Sequence, residues 1–143
     1  MNYLNDLKKT LDKYYVKLPK FPKGLNNFIV SVSPWLALIF GALAISAGVL
    51  SLMSPFAVIV GLHGYAVTVF ISLIILLVQG VIELLAFSPL RGRKIRGWNL
   101  MFYSLMLSLI SSIVTLNVFS VLNSILGVLI GYYILYQIKS YYK

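Results

Sequence analysis

Residues 88–98 read SPLRGRKIRGW, and the four cations of this segment, Arg91, Arg93, Lys94 and Arg96, interrupt an otherwise apolar chain. Outward from it, residues 24–90 on one side and 97–138 on the other contain no Lys or Arg. Beyond those stretches lie Lys8, Lys9, Lys13, Lys17, Lys20 and Lys23 at one end and Lys139 and Lys143 at the other. All twelve cations therefore fall in three clusters. If each apolar stretch crosses a bilayer twice, the clusters share one side, as the positive-inside rule requires, whereas three or five crossings would send a cluster outside.

Composition agrees with a lipid environment. Of 143 residues, 60% are hydrophobic and 10% charged, and the mean hydropathy is +0.94. Such a chain has too few polar side chains to cover a water-facing surface. The formal net charge of +9 would suit nucleic acid, but the cations flank apolar segments and no recognition motif accompanies them. Anionic lipid headgroups are the expected partner, not nucleic acid. The chain contains no cysteine, which excludes disulfides, thiolate metal sites, palmitoylation and prenylation.

The expected fold class is all-α: a polytopic membrane protein of four transmembrane helices arranged as two helical hairpins, with an N-terminal amphipathic interfacial helix. Residues 1–27 form the cytoplasmic amphipathic helix and its Pro/Gly hinge, and residues 28–143 the membrane domain. The spans are expected at about 31–53, 65–87, 98–116 and 121–138, each near the length that crosses a hydrocarbon core. The first begins after about 27 polar and basic residues and exceeds the apolar core of a secretory signal, so a retained helix is expected. Residues 55–64, broken by Pro55, Gly61 and Gly64, suit a short outer helix or turn, and Asn117–Ser120 a tight one. All five prolines, at 19, 22, 34, 55 and 89, are expected outside helix interiors, with Pro34 in a first turn.

In the N-terminal segment, Leu4, Leu7, Leu11 and Leu18 recur at helical spacing, with lysines on other faces. This suits a helix lying on the cytoplasmic leaflet or, alternatively, one docking on a partner protein. Setting Trp35 over Trp98 also aligns Gly41 with Ser104 and Gly48 with Ser111, a weak internal repeat. It would correspond to two similarly oriented hairpins.

Cohesion in lipid comes from close approach and interhelical hydrogen bonds, because lipid tails are as apolar as leucine. Gly41 and Gly48 on the first span, a Ser104–Ser108–Thr115 hydroxyl face on the third, and Gly127-x-x-x-Gly131 on the fourth are the candidate packing positions. The last pair serves either packing within the chain or self-association. Thr68, Ser72, Gln79 and Glu83 line one side of the second span.

Glu83 is the acidic residue inside a span, and a carboxyl at membrane depth is costly enough to be a functional candidate. Two readings stand beside each other. Lying four residues from Phe87, it would anchor the helix by pairing with Arg91, Arg93 or Lys94; alternatively, Ser72, Gln79 and Glu83 form a polar line that carries a proton or cation. Headgroup contacts are expected from Arg91, Arg93, Lys94 and Arg96 and from Trp35 and Trp98, since tryptophan favours the membrane boundary. His63 is the lone histidine, so neither a histidine metal cluster nor a His-based relay can be assembled. No nucleophile, acid and metal ligand stand together, so no enzymatic activity, catalytic residue, metal or cofactor is expected.

The segments SPLRGRKIRGWNLMFYSLMLSLISSIV and GVLIGYYILYQIKSYYK resemble the small uncharacterised four-helix membrane proteins of bacteria. In these a basic loop ending in Gly-Trp, here Gly97-Trp98, opens the third helix and an aromatic, basic tail closes the fourth. The resemblance covers the layout of residues 30–143 and implies topology but no activity. Small multidrug transporters are similar in size but carry their essential Glu in the first helix, which has no charge here.

The expected function is that of a non-enzymatic packing or accessory subunit of a membrane complex, with a basic cytoplasmic rim that binds anionic lipid. The alternative is a small homo-oligomeric transporter or channel using Ser72, Gln79 and Glu83. The expected location is the plasma membrane of a prokaryote, with both termini cytoplasmic. Its partners would be membrane lipids and either further copies of the chain or another membrane protein.

Overall fold

The structure, a computed structural model, describes residues 2–15, 17–53, 66–114 and 118–143. The expected outer elements at residues 55–64 and at Asn117, together with His63 and Thr115, lie outside the described residues. The described elements are all helical: α1 (Asn2–Tyr15), α2 (Lys23–Met53), α3 (Ala66–Arg91), α4 (Ile95–Val114), α5 (Val118–Ile138) and a closing 3-10 turn (Lys139–Tyr141). Four helices, α2 to α5, are long and apolar enough to span a membrane.

Partner residues fix how the four pack. Trp35 meets Phe87, Gly41 meets Gly80 and Gly48 meets Leu77, so the numbering descends along α3 as it climbs along α2 and the two helices are antiparallel. Ser104 meets Glu83 and Gly97 meets Leu90 across α3 and α4, while Phe102 meets Tyr132 and Leu105 meets Gly131 across α4 and α5. The helix α3 is thus held between α2 and α4.

Close approach begins at glycine. A Cβ on Gly41 would lie 2.9 Å from the Gly80 carbonyl oxygen, and one on Gly80 would lie 3.0 Å from that of Gly41. Gly97 is tighter still, since its Cβ would meet the Leu90 backbone nitrogen at 2.6 Å. Such contacts let backbones touch where the hydrophobic effect offers no drive.

Two prolines depart from the sequence expectation. Pro34 sits inside α2, which begins upstream at Lys23, and Pro89 lies in the last turn of α3. A proline at 34 removes the N–H that would bond the Val30 carbonyl, and the Ser33 hydroxyl fills that gap, donating to Val30 O at 3.1 Å. Neighbouring hydroxyls rescue membrane-helix prolines in this way. At the end of α3, Arg93 N–H donates to Leu90 O and Lys94 N–H to Pro89 O, at 3.0 and 2.8 Å, with Arg93 at φ 51°. That is a Schellman ending in which arginine occupies the left-handed position where glycine is usual.

The core lies at one end of the bundle: Val30, Ala37, Ala86, Leu90, Trp98, Phe102, Tyr132, Leu135, Ile138 and Tyr142 are all buried. At that same end the Lys143 main chain bonds Arg93 O and Ile95 N, and the Phe21 N–H donates to Gln137 Oε1. These bonds gather the N-terminal segment, the 91–96 turn and the C-terminal tail, and with them the basic clusters, at one pole. Helix α1 docks on α4 and α5 there, through Tyr15 stacked on Tyr136 with ring centres 5.0 Å apart and a Tyr136 hydroxyl bond to Lys8 O.

Candidate functional site

Glu83 is 8% exposed, buried between α2 and α4. On one side the Gly41 notch admits it, a Cβ at Gly41 lying 3.1 Å from Glu83 Cβ. On the other, Ser104 Oγ donates to Glu83 Oε1 at 2.7 Å, and from its own helix Gln79 Nε2 donates to the same oxygen at 3.3 Å. Gly41 and Ser104, matched in the sequence repeat, flank one carboxyl from opposite sides. The expected pairing with Arg91, Arg93 or Lys94 is not what holds it. Because α3 continues to Arg91, Glu83 lies eight residues, roughly 12 Å of helical rise, from that end. A buried carboxyl is tolerable when its oxygens are hydrogen-bonded, and two neutral donors supply that here.

The polar line is interrupted. Ser72 Oγ donates to the Thr68 carbonyl at 2.9 Å, one turn back on its own helix, whereas Gln79, Glu83 and Ser104 form a connected group.

Arg91, Arg93, Lys94 and Arg96 are all exposed. Trp35 is 53% exposed and set edge-on to Phe87 at 5.6 Å. Trp98, expected at the headgroups, is instead 1% exposed. Its indole N–H donates to Leu135 O at 2.8 Å, satisfying one of the last-turn carbonyls of α5 that have no helical partner. Gly97 causes this burial: its backbone is pressed against Leu90, which brings the next side chain into the core.

Lys8 and Lys139 reach the same indole from different elements. The Lys8 ammonium lies 4.9 Å from the Phe102 ring centre and 4.6 Å from that of Tyr103, and donates to Asn99 Oδ1 at 2.7 Å. That of Lys139 lies 5.0 Å from Trp98 and 5.2 Å from Tyr136. Partly desolvated ammonium groups over aromatic faces are each worth about 0.5–2 kcal/mol. Lysines that read as solvated charge therefore join α1 and the tail to α4.

The glycine pair on α5 divides. Gly131 packs on Leu105, whereas Gly127 has nothing within 4 Å of its Cβ position. Gly48, by contrast, is closed over by Leu77. Sequence reasoning missed Gly80, Asn99 and Asn26. Gly80 carries a legible signal, being the small residue one turn before Glu83. Asn26 is buried with its Oδ1 unpaired, and an orphaned polar group of this kind costs about 1–3 kcal/mol; no spacing in the sequence announces it. Burial raises the Tyr142 phenol above its ordinary range, against lowering contributions from a Ser33 hydrogen bond and from Arg93.

Comparison with protein-family models, with curated proteins and with solved structures finds no match.

Proposed function

We propose that this chain is a non-enzymatic packing or accessory subunit of a membrane complex, seated in a prokaryotic plasma membrane with both termini and the 91–96 turn on the cytoplasmic side. In this reading α2–α3 and α4–α5 cross the bilayer as two hairpins. The α1 helix lies at the cytoplasmic interface, covering the aromatic end of α4 and α5. The observation that carries the proposal is the convergence of three basic clusters on one pole of an apolar bundle. Each well-placed Lys or Arg there adds about 1 kcal/mol of attraction to anionic headgroups. Exposed Phe40, Leu43, Leu50, Ile74, Leu85, Leu126 and Ile130 supply the apolar faces that lipid or a partner helix would cover.

The absence of native cysteine makes the topology directly testable. Single substitutions Lys20→Cys, Arg96→Cys and Lys143→Cys should all react with an impermeant maleimide only after the cytoplasmic side is opened. Reaction of any one of them from the outside would defeat the arrangement. Pull-down from native membranes in mild detergent should then recover a larger hetero-complex.

A second reading, a small homo-oligomeric transporter or channel, is favoured by the buried Glu83 with Gln79 and Ser104. In liposomes it requires proton or small-cation flux that Glu83→Gln abolishes, and recovery of a self-oligomer alone. The packing reading requires no flux from either protein.

A further inference from the structure

A cavity of about 560 Å³ opens at the basic pole between the segment leading into α2, the start of α2 and the end of α5. Lys20, Lys23 and Lys139 line it, and no Asp or Glu does. Three cations without an acid define an anion site. Lys23 is the first residue of α2, where unpaired N–H groups and the helix dipole add to the positive field. The Lys20 backbone is held at the rim, because Gln137 Nε2 donates to Pro19 O at 2.8 Å while its Oε1 accepts the Phe21 N–H at 3.2 Å. Tyr133 also donates to Pro19 O, at 2.6 Å. Gln137 thus uses both ends of its amide to hold Lys20 between two fixed neighbours.

Asn26 lines the same cavity one turn into α2. It is 8% exposed, and its Oδ1 has no partner. Rotation of the amide about its terminal bond turns that acceptor toward the cavity, where it requires a donor. An inorganic anion answers the lysines but leaves Asn26 unanswered. A phosphodiester bearing a hydroxylated group answers both.

We infer that this cavity is a headgroup site for an anionic glycerophospholipid with free headgroup hydroxyls, of the phosphatidylglycerol class. Its phosphate lies among Lys20, Lys23 and the N-terminus of α2, and a headgroup hydroxyl bonds the Asn26 amide. A lipid source is favoured over a soluble phosphate ester because Leu25 and Phe28, on α2 beside Lys23, are exposed apolar side chains along which acyl chains continue. The inference rests on the reading that the basic pole meets lipid, but it concerns one saturable site and not the rim as a whole.

The test is native mass spectrometry of the delipidated full chain with matched phosphatidylglycerol, phosphatidylcholine and phosphatidylmethanol, the last an anionic phosphodiester without hydroxyls. One phosphatidylglycerol should be retained at least tenfold over phosphatidylcholine and several-fold over phosphatidylmethanol. Lys20→Ala/Lys23→Ala, at two exposed positions, should cut that retention at least tenfold without moving the melting temperature. Should the double variant melt early, Lys20→Gln alone should still lower it. Asn26→Leu should erase the preference over phosphatidylmethanol while keeping that over phosphatidylcholine. Arg91→Ala/Arg96→Ala should weaken binding of the whole protein to anionic liposomes and leave the single retained lipid untouched. Equal retention of phosphatidylglycerol and phosphatidylcholine, or retention indifferent to Lys20 and Lys23, overturns the site. Displacement by glycerol phosphate at matched concentration overturns the lipid source. Loss of liposome binding to the rim with the retained lipid intact counts against neither.

Discussion

The Ser104 hydroxyl donates a 2.7 Å hydrogen bond to Glu83 Oε1 across the α3–α4 interface, and both side chains are buried. Ser104→Ala leaves that oxygen with Gln79 alone. The expected loss is about 1–3 kcal/mol, the penalty for a buried polar group deprived of its partner. Thermal unfolding in detergent checks it, and Glu83→Gln in the Ser104→Ala background should recover part of the loss because an amide is easier to bury than a carboxylate. Equal melting temperatures for the wild type and Ser104→Ala would remove Glu83 as an anchor.

The glycines should separate by what surrounds them. Gly97→Ala forces a methyl onto the Leu90 backbone, which cannot swing aside, so a cost of about 1–3 kcal/mol is expected. Gly127→Ala meets open space and should raise the melting temperature of the isolated chain slightly, since alanine in a helix interior is favoured over glycine by roughly 0.5–1 kcal/mol. If crosslinking shows that Gly127→Ala instead weakens a dimer, that glycine packs between subunits.

The helical class was legible because cation placement and apolar length act over whole segments. What the sequence could not fix was which face of each segment turns inward. Trp35 and Trp98 stand at matching positions of the apparent repeat, yet one is exposed and the other buried, because the Gly97 contact with Leu90 has no equivalent before Trp35. The polar side of α3 was visible from spacing, and so was a hydroxyl face on α4. Their meeting at Glu83 and Ser104 depended on the rotation of α4, which periodicity does not set. Pro34 misled for a related reason: a helix start was read from a missing N–H, while the Ser33 hydroxyl allowed α2 to run through it.

Arg93 is the described non-glycine residue with positive φ, at 51°. The left-handed conformation costs an L-residue roughly 1–2 kcal/mol, a strain glycine escapes. Arg93→Gly should therefore stabilise the α3–α4 turn by up to about 1 kcal/mol, reduced by the extra freedom glycine gives the unfolded chain. Unfolding in detergent should show a small rise in melting temperature. The same variant removes a rim cation, so binding to anionic liposomes should weaken as stability increases. The arginine is thus kept for its charge and against the preference of its backbone.

Tyr142 closes the fault that Pro34 leaves in α2. With the Ser33 proton directed at Val30 O, the Tyr142 hydroxyl is the donor of the 2.9 Å contact to Ser33 Oγ, so a tail residue secures the first span through a serine. Burial holds its phenol above the ordinary value of 10.0, despite the opposing effects of Ser33 and Arg93. A group whose pKa is raised on folding contributes stability that is intact below its unfolded pKa and is lost as pH rises through the folded one. Melting temperature should hold to about pH 10 and fall above it, as the ionised phenol is driven from its buried site and the tail with it. Other tyrosines and lysines ionise in the same range, so the informative quantity is the difference between the wild type and Tyr142→Phe. At neutral pH the variant should be less stable by about 0.5–1.5 kcal/mol, the net worth of one hydrogen bond. Above pH 10 the gap should narrow or reverse, because phenylalanine has no proton to lose. A gap constant across that range would mean that the tail is not held by the neutral phenol.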